Sequence, residues 1–138
     1  YVGTLKGLKD VNVIEVKSFL NIPSDMFVVT RKVYDSKKDV LRRFLIAYRD
    51  SAAWMIQHPE EAAKLAVTRS INGRNEAVNL EIIKIRNLSA VSKTTQDKGL
   101  GHFDLEVLSR GVQTFLELGL IKKPIDIRAV VRSDLIPQ

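Results

Sequence analysis

Met26-Phe-Val-Val-Thr30 runs into Arg31-Lys-Val-Tyr-Asp-Ser-Lys37 and then Lys38-Asp-Val-Leu-Arg-Arg-Phe-Leu-Ile-Ala-Tyr-Arg-Asp-Ser-Ala-Ala-Trp-Met-Ile56. The apolar period changes within this stretch. Residues 26–30 are a short β-branched and aromatic run behind Pro23, the pattern of a buried strand. From Ser36 onward, Val40, Leu41, Phe44, Leu45, Tyr48, Ala52, Met55 and Ile56 recur at three-and-four spacing and share one helical face. Asp35 or Ser36 is the expected N-cap, with Asp39 in a capping-box-like position.

Upstream, Asp10 to Val16 approximates strand alternation through Val11, Val13, Ile14 and Val16. Asn21-Ile-Pro-Ser-Asp25 between the two runs is turn chemistry, because Pro23 fixes its own φ and biases Ile22 toward extended geometry. Downstream, Pro59 suits a first helical position, and Glu60 and Glu61 suit the positive end of the helix dipole. That helix is expected to end at Asn72-Gly73. A further helix is expected over about 75–87, and a polar, Gly-punctuated loop over 92–102. A last long helix is expected from Phe103 or Asp104, with Gly119 as its stop. The segment from Ile125 to Val131 has no clear type, and no internal repeat or linker is visible.

At 138 residues and 15.6 kDa the chain is long enough for one core. Cysteine is absent, which excludes disulfides, Cys-ligated metals and thiol nucleophiles. The two histidines, His58 and His102, lack second ligands at metal spacing, so no metal or cofactor is expected. No apolar stretch is long enough to span a bilayer. A net charge of +6 permits an acidic partner without naming one. The chain opens at Tyr1, which suggests processing or a piece of something larger, and no secretory signal can be read from it.

Arg31, Lys32, Lys37, Lys38, Arg42, Arg43 and Arg49 form the densest charge cluster. A basic, mainly helical nucleic-acid-binding module would use them against phosphates. No helix-turn-helix spacing, aromatic RNA-binding strand or zinc pattern accompanies them, and a solvated helix face is the expectation. Tyr48 and Trp54 read as helix packing rather than a ligand wall. The His102 and Asp104 pair reads as a capped helix start, and no convergent nucleophile, base and oxyanion donor is found, so no catalytic residue is assigned. The best ligand candidates are Asn21, Ser24 and Asp25, three short polar side chains in a turn between expected strands.

The order of segments resembles the extracytoplasmic solute-binding proteins of ABC importers, in particular the nitrate, sulfonate and taurine branch that includes thiamine-pyrimidine-precursor binders. Leu41-Arg-Arg-Phe-Leu-Ile-Ala47, His58-Pro-Glu-Glu-Ala62 and Leu118-Gly-Leu-Ile121 carry the likeness. His58 stands where that family often has Asn. The resemblance implies an α/β fold of the type II periplasmic-binding-protein kind, here a partial lobe that is mainly helical with two or three short strands. Residues 1–138 would be a single domain or fragment, with a strand-rich segment at 1–30 near the inter-lobe crossing. Residues 31–138 would be the C-terminal helices and tail of the first lobe. It further implies closure around a small solute without catalysis, a membrane permease as partner, and a periplasmic or extracytoplasmic location. An Asp25 carboxylate suits a cationic or neutral solute better than an anion. Apolar surface left uncovered on such a fragment would favour homo-oligomers.

Overall fold

The structure, a computed structural model, describes residues 12, 14, 16–19, 21–23, 25–71 and 75–136. Among these the fold is helical and contains no strand, which corrects the expected α/β lobe. The helices are α1 (Arg31–Ser36), α2 (Lys38–Gln57), α3 (Pro59–Arg69), α4 (Glu76–Ala90), α5 (Lys93–Lys98), α6 (Leu105–Glu117) and α7 (Ile127–Val130). Where a strand was expected over 10–16, Asn12 and Ile14 are irregular and Val16–Ser18 form a 3₁₀ turn. Residues 10, 11, 13 and 15 lie outside the described set. Among the described residues, 26–30 have no ladder partner. Strand propensity expresses itself only where a second strand accepts the backbone bonds, and the described residues offer none.

The amphipathic run of the sequence becomes two helices. Thr30 caps α1 by accepting the Val33 N–H at 3.3 Å, and the chain breaks helical geometry at Lys37, whose own N–H goes to the Val33 carbonyl. Asp35 and Ser36 therefore lie inside α1 rather than capping α2. Asp39 pairs with Arg43 at 3.0 Å one turn on. Pro59 occupies the first turn of α3 with Glu60 and Glu61 beside it, as its pattern requires. Helix α3 ends at Arg69, and Asn72-Gly73 lies outside the described residues. Asn75 caps α4 through the Val78 N–H at 2.9 Å, and α4 runs on to Ala90. The expected 92–102 loop instead holds α5, nucleated by a reciprocal capping box between Ser92 and Thr95. Gly119, at φ 69°, stops the chain just beyond α6 in the left-handed region.

Helices α3 and α4 make the most extensive pairing among the described residues, a helical hairpin against which α2 also packs. Ala63 is 0% exposed at its centre, with Asn79 and Ile83 of α4 buried beside it in the fold. The Asn79 amide donates to the Ala63 carbonyl at 3.5 Å, and the Asn87 amide donates to the Met55 carbonyl at 3.3 Å, tying α4 to α2. A second buried set, Leu108, Gly111, Ile127 and Leu135, comes from α6, α7 and the tail. The tail reaches α1 and α2 through Asp134, which accepts the Tyr34 hydroxyl at 2.8 Å and lies 3.8 Å from Lys38. No residue of the 20-residue α2 is buried. The chain exposes 11078 Å², against about 7,300 Å² for a compact monomer of its mass.

Candidate functional site

Asn21 and Asp25 flank a segment held down by Ile22, which packs on α6 where Gly111 leaves room. Both polar residues face solvent. Asp25 Oδ2 lies 3.5 Å from Arg86 Nη2 on α4, with both side chains well exposed, so the pair contributes little to stability. It nevertheless puts one carboxylate and one guanidinium side by side at the segment that also carries Asn21. Ser24, the third residue expected here, lies outside the described residues.

A cleft elsewhere in the fold escaped the sequence reading. An open cleft of about 1060 Å³ is lined by residues of α5, the 99–104 turn, the start of α6, α7 and the tail, including Lys98, His102, Asp104 and Arg128. Two glycines build the turn: Gly99 at φ 93° and Gly101 at φ 94° take conformations that side chains resist. The reversal brings His102 Nδ1 to 3.2 Å from the Gly99 carbonyl. A carbonyl only accepts, so Nδ1 carries the proton. Asp104 accepts the Glu106 and Val107 N–H groups at 3.0 Å each and the Thr94 hydroxyl at 3.4 Å. His102 and Asp104 thus spend their polar atoms on separate local partners, as a capped helix start predicts. The lining comes from positions between 94 and 133, and no local spacing could announce it.

The Val107 N–H holds the Asp104 carboxyl below its ordinary value of 3.8, helped by Glu106 N–H, Thr94 and Arg110 and opposed by desolvation. A lowered folded pKa stabilises above the ordinary value, and that stabilisation is lost as pH falls through the lowered one. Asp104→Asn keeps a capping oxygen but removes the titration. On acid titration followed by circular dichroism, wild type is expected to lose helix stability below about pH 4 more steeply than Asp104→Asn. Coincident acid profiles would refute this assignment.

The basic cluster is partly neutralised where it stands. Arg43 pairs with Asp39, Lys38 with Asp134 and Arg49 with Asp50 at 2.9 Å. Lys38 also lies 4.6 Å above the Tyr34 ring. Trp54, read as helix packing, stacks on His58 with ring centroids 5.3 Å apart. Among the described residues no group of His, Asp or Glu is arranged to hold a metal ion, and no helix is long and apolar enough to cross a membrane.

Residues 3–62 match a family model described as NMT1/THI5 like. The match covers fewer than half of the 138 residues and, over that part, supports a likeness to substrate-binding proteins of the periplasmic-binding type. It spans the Asn21–Asp25 segment, α1, α2 and the start of α3, and stops short of the 94–133 cleft. No curated protein and no solved structure matches the chain.

Proposed function

We propose that the chain is a solute-binding component of an ABC import system, acting outside the cytoplasm beside a membrane permease. Its solute is a small organic molecule such as a taurine-like compound, another sulfonate or a pyrimidine precursor, held without any bond made or broken. The observation that carries this reading is the NMT1/THI5-like match over residues 3–62. Asn21, Ser24 and Asp25 are the proposed contacts. The adjacent Arg86 removes the objection that a lone Asp25 repels anions, because a zwitterion can present its ammonium to Asp25 and its sulfonate to Arg86. Among the solute classes, this geometry favours the amphoteric one.

Titration calorimetry of the chain with taurine, an alkyl sulfonate and an aminopyrimidine tests it. Taurine is expected to bind best, and either Asp25→Asn or Arg86→Gln is expected to weaken it about tenfold, since charge-assisted contacts contribute roughly 1.5–3 kcal/mol each. Heat from none of the three at millimolar concentration would overturn the reading.

A further inference from the structure

Residues 26–29 belong to no helix, they lead into Thr30 in the β region at φ −69° and ψ 154°, and none of their backbone N–H or C=O groups is hydrogen-bonded among the described residues. Their side chains are not buried either. Phe27 packs edge-on against Phe44 at 5.1 Å and Tyr48 at 4.8 Å, yet all three rings stay about half exposed. Val28 is 84% exposed, and Met26, Val29 and Val40 surround it with further open apolar surface. The expected single apolar face of α2 is therefore split. Leu41, Leu45, Ala52, Met55 and Ile56 turn partly inward, while Val40, Phe44 and Tyr48 form an outer stripe, on which Phe27 packs against Phe44 and Tyr48.

We infer that this face is a dimer interface, in which residues 26–30 of two copies pair antiparallel about a two-fold axis through Val28. The chain's own charges fix that register. Centring the pairing on Val28 sets Met26 against Thr30, Phe27 against Val29, and Asp25 of each copy against Arg31 of the other. Both charge pairs are attractive: Arg31 has no acidic partner among the described residues, and Asp25, 86% exposed and 3.5 Å from Arg86 of its own chain, keeps an open carboxylate oxygen for it. An isologous contact uses one patch twice and closes, so it pairs one edge of the open backbone in a two-copy assembly. The exposed parts of these seven apolar side chains come to roughly 600–700 Å² per copy, with ~200 Å² for a whole aromatic ring. A standard interface uses ~800 Å² per partner. The expected dimer is accordingly weak, half assembled in the range of about 10–100 μM.

The test is sedimentation equilibrium of the 138-residue chain from 1 to 500 μM, with no solute present, so that its failure is separable from failure of the solute reading. Wild type is expected to move from monomer to dimer across that range. Val28→Glu places two carboxylates together at the axis and is expected to weaken association at least about tenfold, with an unchanged circular-dichroism spectrum because Val28 touches little in the monomer. Asp25→Arg and Arg31→Asp are each expected to weaken it about tenfold, and combining them should restore it. A chain that is monomeric throughout, one that forms open-ended polymers, a Val28→Glu variant that still dimerises as wild type, or a double reversal that fails to recover would each overturn the inference.

Discussion

Ala63→Leu is expected to lower the stability of the chain by about 2–3 kcal/mol, near the upper end of what overpacking costs, and its Tm by about 10 °C. Ala63 has no exposed surface and sits on the α3–α4 pairing, the most extensive helix contact among the described residues. The Asn79 amide reaches its carbonyl, so the two backbones are held near each other at this level of the hairpin. Three added heavy atoms have no pocket to enter. Helix α4 must move away, and the buried Asn79 amide then loses an acceptor it cannot replace with water at no cost. Leucine's good helix propensity does not offset this, since alanine is already the best residue on that scale. Ala63→Gly separates the two effects. It adds no volume and costs about 1 kcal/mol in propensity, so leucine should destabilise more than glycine in urea unfolding. The reverse order would mean that Ala63 marks no close approach.

The helices were readable where a local signal and a packing partner agreed. Pro59 with Glu60 and Glu61, Asn75, Asp104 and Gly119 each mark a helix end by chemistry within one turn, and the fold places ends there. The two expected strands are absent among the described residues, because alternation and β-branching state only that a segment can pair. Val28 and Val29 have that character, and the described residues supply no second strand. Residues 92–98 erred in the other direction. Their polar composition suggests a loop, but the Ser92 and Thr95 capping box needs no apolar face to start a turn of helix. The candidate site divides along the same line. Asn21 and Asp25 could be picked out as short polar side chains in a turn, whereas Arg86 beside Asp25 lies 61 positions away and has no local signature. The 94–133 cleft is likewise a product of tertiary placement.

Gly111 is the position where the 21–25 segment depends most on a single missing atom. A Cβ built there would lie 2.7 Å from Ile22 Cγ2 and 3.7 Å from Ile22 Cβ. In a helix interior, glycine to alanine alone is worth about 0.8–1 kcal/mol in the favourable direction. The clash opposes it, and Cγ2 sits on a β-branched carbon whose χ1 is stiff, so it cannot swing away as the end of a long side chain would. The overpacking cost of about 1–3 kcal/mol is expected to exceed the propensity gain, leaving Gly111→Ala less stable than wild type by about 1 kcal/mol. Ile22→Ala removes Cγ2 and leaves only the ordinary contact with Cβ. In that background Gly111→Ala should stabilise by its full propensity, which makes the coupling between the two sites about 2 kcal/mol in a double-mutant cycle. Additive effects would show that Ile22 does not rest on α6. The same displacement bears on function, because Ile22 anchors the segment that carries Asn21 and Asp25. Gly111→Ala should therefore weaken taurine binding in proportion to the strain, and Ile22→Ala should not restore that affinity even where it restores stability, since the anchor itself is then gone.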